Sequence, residues 1–236
     1  MLLAIDIGNT KTALCLYEGA NEIEYGSIPT SELSRERLEP FFARCTRCAA
    51  ASVVPGALQI IKTAFEKPIM LLDAKADLPI AIRYHPKESI GADRIANCIA
   101  LNALYSRPAV AVDFGTATTL SVLDANGSLI GGCIMPGAMT AYRALLASAP
   151  NLIEINWEIP PNLIGDSTEK NLQVGCFAAH AIAVDALIAR MKAEIGDHPT
   201  VVATGGICEL LAPHCPQIEV VNKRLTLEGI RLFAEG

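Results

Sequence analysis

The sequence predicts an α/β chain of two similar lobes, roughly 1 to 108 and 109 to 236. Three observations predict it. Short aliphatic strand patterns alternate with stretches of helical spacing along the 236 residues. A strand, polar turn and second strand at the N-terminus recur on shifting the chain by 107 residues: Ala4, Asp6, Gly8, Thr12 and Leu16 fall on Ala111, Asp113, Gly115, Thr119 and Leu123, five identities in thirteen positions. A late buried-strand pattern, TVVATGGI, runs into paired glycines.

The first element, MLLAIDIGNTKTALCLYEG, is aliphatic on both sides of DIGNT and predicts a β-hairpin with a polar tip. SELSRERLEPFFARC and GALQIIKTAFE have helical spacing, with Ser31 or Ser34 as the cap of the first, and PIMLLDA reads as a short strand. GADRIANCIALNALYS repeats Ile95, Cys98, Ile99, Asn102 and Tyr105 at helical intervals, which puts Asp93 and Arg94 in its first turn. PAVAVDFGTATTLSVLDANGSLIGGCIMPGA then gives strand, polar turn, strand, a DANG turn and another strand. GAMTAYRALLASA and the long run from Ser167 are helical, the latter interrupted near Gly175, and LTLEGIRLFAEG is a terminal helix. NLIEINWEIPPNLIGD is the least regular stretch.

With 51% hydrophobic residues the chain can bury a sizeable core. The 19 Lys and Arg against 25 Asp and Glu give a net charge of -6, which argues against a nucleic-acid binder needing a dense basic face. The N-terminus has no basic region before its short apolar run, so no signal peptide is expected, and no long apolar run goes uninterrupted, so no membrane partner is expected. The expected compartment is the cytoplasm. Of eight cysteines only Cys45 and Cys48 form a CxxC, without a second pair at zinc spacing, and a structural role is expected for them all. His85, His180, His198 and His214 lack paired metal spacing, and no GxxxxGKS occurs.

DIGNT and DFGTATT carry the chemistry. In each, a strand ends in Asp, one residue and Gly, followed by small hydroxyl or amide residues, so the chain can turn tightly and offer donors to phosphate oxygens. An aspartate beside phosphate needs a cation between them. A lone copy would read as a polar β-turn; two copies and a TGG turn favour phosphate handling.

That layout resembles the actin-like and sugar-kinase ATPase superfamily. DIGNTKTA, YHPKESIGADR, DFGTATT, GGCIMPG, GDSTEKNLQVG and ATGG stand in the order, and with the wording, of type III pantothenate kinases, over residues 2 to 229. The resemblance implies two ribonuclease H-like lobes with the nucleotide in the cleft between them, and ATP-dependent phosphorylation of pantothenate to 4'-phosphopantothenate. It also implies site residues. Asp93 is the catalytic base, where spacing alone would make it a helix N-terminal carboxylate. Asp6, Ile7, Gly8, Asn9, Thr10, Lys11, Thr12, Ala13 and Thr116 bind ATP, although Lys11 equally reads as a solvated strand charge. Tyr84, Gly91, Ala92, Asp93, Arg94 and Thr168 bind pantothenate. Without the resemblance Arg94 reads as a surface ion pair, Tyr84 as a half-buried strand residue, and Thr168 or Ser167 as a helix cap. Asp113 is the ligand of a monovalent cation, potassium or ammonium, and Asp6 serves the magnesium that accompanies ATP.

The resemblance further implies a homodimer, for which GGCIMPGAM and the apolar helix around Phe177 to Ile188 are candidate contacts, with Thr168 then able to serve the neighbouring subunit's site. Two other readings stay open: a kinase of another small alcohol in the same superfamily, and a non-catalytic regulator of the transcription accessory factor type. A different pocket around Asp93 would mark the first; degraded phosphate or GxDR motifs would mark the second.

Overall fold

Strands β1 (Leu2–Ile7) and β2 (Lys11–Glu18) form the expected N-terminal hairpin, and β3 (Asn21–Pro29) extends it. Helix α1 (Arg35–Phe42), strand β4 (Arg47–Ser52), helix α2 (Pro55–Ala64) and strands β5 (Ile69–Leu72) and β6 (Ala81–Ile82) follow. Helix α3 (Ala92–Leu104) leads into strands β7 (Ala109–Phe114), β8 (Ala117–Leu123) and β9 (Ser128–Pro136). Helices α4 (Ala138–Ser148), α5 (Thr168–Gln173) and α6 (Ala179–Ile195), strand β10 (Thr200–Thr204), helix α7 (Cys208–Leu211), strand β11 (Val220–Val221) and helix α8 (Leu225–Glu235) complete the chain. The computed structural model describes residues 1–196 and 198–236.

The two sheets repeat one topology. The first has the order β3-β2-β1-β4-β5; the second has β9-β8-β7-β10-β11, with β6 added beside β9. In each, an antiparallel three-stranded meander is extended by parallel strands on the side of its first strand. The recurrence at 107 residues sets β1 on β7 in register, but the second hairpin is one residue shorter, Thr12 pairing with Ile7 and Thr118 with Phe114, so the matches of Thr12 with Thr119 and Leu16 with Leu123 are not structurally equivalent.

Burial sorts the elements into five layers. Leu3, Ile5, Leu14 and Leu16 face outward from the first sheet onto α1 and α2. Val110, Val112, Phe114 and Val201 face outward from the second onto α4 and α6. Between the sheets lie α3 and α8, packed on Leu2, Ala4, Ala109, Ala111 and Leu123. Each fully buried large aliphatic contributes roughly 1.5–3 kcal/mol, against about 0–1 for a surface ion pair, so these three clusters and not the exposed charge pairs hold the fold.

The middle layer is thin. At Gly229 of α8 a Cβ would stand 1.9 Å from the Ala96 carbonyl oxygen of α3, so this glycine sets how closely the helices approach. The interruption expected near Gly175 is a π-helical turn, Val174–Ala178, between α5 and α6. By length and composition the run Thr168–Ile195 could cross a bilayer, but half of its most apolar stretch is buried in the second lobe's core. Cys45 and Cys48 are both buried, and burial pushes both thiols up, as suits structural residues.

Candidate active site

Strand alternation aims two carboxylates at the middle layer. In β1, Leu2 and Ala4 face α3 and α8, so Asp6 continues that face at the strand's end. In β7, Ala109 and Ala111 do the same for Asp113. Asp93, the second residue of α3, stands between them at the mouth of the layer. Its Oδ1 accepts the backbone N–H of Arg94 at 2.8 Å, leaving Oδ2 without a protein partner among the described residues. Gly91 permits this: a Cβ there would lie 2.3 Å from Asp93 Oδ1.

The two hairpin tips meet across the cleft. Thr10 and Thr116 join hydroxyl to hydroxyl at 2.9 Å, although 106 residues separate them. The Gly8 amide donates to Lys11 O at 3.0 Å and the Gly115 amide to Ala117 O at 3.2 Å, closing similar turns of which the second is one residue tighter. Among the described residues the amides of Asn9, Thr10, Thr116 and Gly206 have no backbone acceptor. Donors gathered in this way make an anion-binding concavity.

Other glycines of the motifs have specific duties. Gly205, at φ +95°, lies against Asp113: a Cβ there would stand 2.5 Å from Oδ1. The TGG turn thus seats the carboxylate as well as flanking the cleft. Gly137 abuts the second hairpin tip, where a Cβ would meet Gly115 O at 2.3 Å, and its amide donates to Thr116 O at 3.0 Å. Thr140 donates to the same oxygen at 2.6 Å, fixing Thr116 from behind.

Arg94 is not the surface residue that its charge suggests; it is 4% exposed. Its Nε donates to Ser121 Oγ at 2.9 Å, and its Nη2 reaches the carbonyls of Leu120 at 3.4 Å and Gly131 at 3.3 Å. Gly132, at φ +142°, keeps the β8–β9 ladder close enough for this, since a Cβ would fall 1.8 Å from Leu120 O and 3.1 Å from Nη2. Nη1 has no protein hydrogen bond among the described residues. The guanidinium also lies 5.5 Å from the Tyr84 ring, so Arg94, Tyr84 and Asp93 gather at one end of α3.

The remaining expected residues divide. Ile7 and Thr12 are buried, and Thr12 turns its hydroxyl to Thr30 at 3.1 Å, so at these positions only backbone can serve a ligand. Asn9, Thr10 and Lys11 are exposed at the tip, with Ala13 paired to Asp6 across the hairpin and Ala92 buried at the start of α3. Thr168 opens α5 on the second lobe, exposed, after Ser167 caps that helix by accepting the Lys170 amide at 3.2 Å. It has no hydrogen bond or ion pair with Asp93, Arg94 or Tyr84 among the described residues. Sequence reasoning missed Ser121, Thr140 and Asn97, whose partners lie 16 to 129 residues away and leave no local signal.

The three aspartates repel one another. Burial first, then Asp93 and Asp113, push Asp6 up to about 8, with Lys11 opposing. Burial and Asp93 push Asp113 up to about 7, against a hydrogen bond from Asn97. Repulsion of this kind favours cations nearby, and oxygen donors suit magnesium and alkali ions rather than zinc, but among the described residues no three acidic, histidine or cysteine side chains form a ready metal cage. An open hollow of about 630 Å³, lined by Tyr105, Glu209, Pro213, Val221, Asn222 and Lys223, shares no residue with the aspartate cluster. It flanks the carboxyl end of β10, where the Asn222 amide donates to Ala203 O at 2.8 Å.

A family model described as type III pantothenate kinase matches residues 2–190. A type III pantothenate kinase from Syntrophus aciditrophicus is 36% identical over 258 residues, covering 99% of this chain and 98% of that protein. One from Anaeromyxobacter dehalogenans is 36% identical over 253 residues, covering 100% and 99%. Among solved structures, a Campylobacter jejuni protein described as a Baf family transcriptional activator is similar with a TM-score of 0.66 at 19% identity, covering 99% of this chain and 97% of that one. MreB 5 of Spiroplasma citri bound to AMPPNP is similar with a TM-score of 0.53 at 10% identity, covering 99% and 96%. At these identities the solved structures speak to the fold, which is the two-lobed actin-like one.

Proposed function

The chain belongs to the type III pantothenate kinase family, and from that premise we propose how its residues phosphorylate pantothenate with ATP, the first step of coenzyme A synthesis. The observation that carries the reading is the mutual repulsion of Asp6, Asp93 and Asp113 beside two hairpin tips whose Asn9, Thr10 and Thr116 amides have no backbone acceptor among the described residues. Phosphoryl transfer needs an in-line alcohol, a proton acceptor and compensation of phosphate charge, and this cleft supplies each.

Asp93 is the general base. With Oδ1 held by the Arg94 amide, Oδ2 remains to take the proton of the attacking primary alcohol. Arg94 and Tyr84 hold the acceptor: Nη1 is the guanidinium nitrogen left for the pantothenate carboxylate, the other nitrogens being held by Ser121, Leu120 and Gly131, with the tyrosine ring beside the guanidinium. Gly91 and Ala92 contribute close backbone at the same helix end.

Asp6 to Ala13 and Thr116 embrace the ATP phosphates, through the Asn9, Thr10 and Thr116 amides and the Thr10, Thr116 and Lys11 side chains. The adenosine faces the hollow beside the TGG turn. Asp6 would hold the magnesium that accompanies ATP, and Asp113 would hold potassium or ammonium. When bound, these cations offset the negative charge of the phosphates and of the aspartates themselves. The segments 1–108 and 109–236 act as two lobes closing on the nucleotide, with α8 returning from the second to pack on the sheet of the first.

A homodimer fits the exposed apolar residues of β9 and α6. Ile134 is 62% exposed and Ile182 51%, and Ile130 adds to that surface. Thr168 then belongs to the neighbouring subunit's acceptor site. A regulator reading would need decay in the phosphate or GxDR motifs, and all of these residues stand intact.

A coupled ADP-release assay with ATP, magnesium, potassium and pantothenate tests the proposal. Pantothenate-dependent ADP formation is expected. No turnover above the pantothenate-free control, with folded protein present, overturns it.

A further inference from the structure

We propose that Asn97 and Thr226 are positioning residues for Asp113, so that docking of α8 onto α3 sets the geometry of the monovalent-cation site. The inference rests on the reading of Asp113 as the cation's carboxylate.

Asn97 follows Asp93 by one helical turn and shares its face of α3, but is 1% exposed. Its Nδ2 donates to Asp113 Oδ2 at 3.4 Å. An Asp113 ionised for a cation only accepts, so the amide presents nitrogen to it and turns its oxygen toward α8. There Thr226, 9% exposed in the first turn of α8, donates its hydroxyl to Asn97 Oδ1 at 2.8 Å. Without that donor, a buried amide oxygen loses its partner and the reversed amide orientation competes.

The relay depends on close helix packing. Gly229, one turn after Thr226, is the point where α8 presses on Ala96, the neighbour of Asn97. With Oδ2 of Asp113 occupied by Asn97, Oδ1 is the oxygen left for the cation. It faces Gly205 and Gly115, where Cβ atoms would stand 2.5 Å and 3.4 Å away. A polar chain thus runs from the last helix to the cation site without touching acceptor or nucleotide.

Thr226→Val removes the hydroxyl at constant shape, Thr226→Ser restores it, and Asp113→Ala removes the carboxylate. Two readouts are taken on each folded protein: the potassium concentration giving half-maximal rate, and the rise in melting temperature on replacing choline chloride by potassium chloride at equal ionic strength. In Thr226→Val the half-saturating potassium is expected to rise about fivefold or more, the worth of one hydrogen bond, with a smaller potassium-induced thermal shift, unchanged KM for pantothenate, and recovery in Thr226→Ser. If Thr226→Val responds to potassium like the parent while Asp113→Ala has lost its response, the positioning role is overturned and the cation reading survives. If Asp113→Ala keeps the parental response, the cation reading fails and the inference with it.

Discussion

Thr10 and Thr116 touch, hydroxyl to hydroxyl at 2.9 Å, at the tips of two hairpins that occupy equivalent places in two sheets. The contact brings the loop donors of both lobes to one point, where phosphates would be held from both sides. Both threonines are exposed, so the pair contributes little to folding. Thr116→Val is expected to raise the KM for ATP roughly tenfold, the loss of one charge-assisted hydrogen bond. Its stability should stay within about 0.5 kcal/mol of the parent. Initial-rate kinetics and a denaturant melt check both halves; an unchanged KM for ATP removes Thr116 from the nucleotide site.

Asp93→Asn keeps the size of the side chain and its acceptor for the Arg94 amide, but cannot take a proton. Turnover should fall about 10²–10⁴-fold, while ATP binding measured by calorimetry is retained. A variant turning over at near the parental rate shows that the base is elsewhere.

Much of this site was legible in the sequence because its parts are local. Asp and Gly two residues apart, ending an aliphatic strand, fix a turn; GADR before a helical repeat fixes a carboxylate in a first turn. The destination of each side chain was not legible. Arg94 reads as a surface charge until β8 and β9 fold over it, and Asn97 reads as a helix-surface amide until Asp113 and Thr226 close on either side. Four strands gave no signal: β6 and β11 are two residues each, too short to carry a pattern. β4, RCAAAS, is buried by helices on both faces, so it never alternates; β3 is an edge strand whose mostly polar residues lie largely open to solvent.

Arg94→Lys preserves charge but cannot donate from one rigid plane to Ser121, to two carbonyls and to a substrate together. Stability should drop by about 1–3 kcal/mol, as buried acceptors lose partners. The KM for pantothenate should rise more than the KM for ATP, which steady-state kinetics resolves. Equal changes in both would deny Arg94 a place at the acceptor.

The aspartate cluster predicts the direction of a pH effect. Asp6 and Asp113 rise from an ordinary 3.8 to about 8 and about 7, so between these limits the folded protein holds protons that the unfolded chain has released. Their contribution to stability is fully present below 3.8 and is lost as pH rises through 7 and 8. The ligand-free protein should therefore lose melting temperature from pH 6 toward pH 9, less steeply in Asp113→Asn, and magnesium with potassium should restore more at the alkaline end. Parallel profiles for parent and variant would show that the cluster is not strained by its own charge.

Gly91 separates positioning from folding. A Cβ there would lie 2.3 Å from Asp93 Oδ1 and 3.5 Å from Asp93 Cγ, and the nearest atom of any other residue, Val53 Cγ1, is 3.9 Å away. The atom that must yield is the end of a side chain, so the backbone need not move and the fold should tolerate Gly91→Ala at a cost of about 1 kcal/mol. The carboxylate, however, has to swing off the Arg94 amide, and a base displaced by an ångström loses its alignment with the attacking alcohol. A fall in kcat of roughly 10²-fold, with near-parental melting temperature and ATP affinity, is expected from kinetics, thermal melts and calorimetry. Parental kcat would mean that Asp93 works from another rotamer, and the proton acceptor's geometry would have to be redrawn around it.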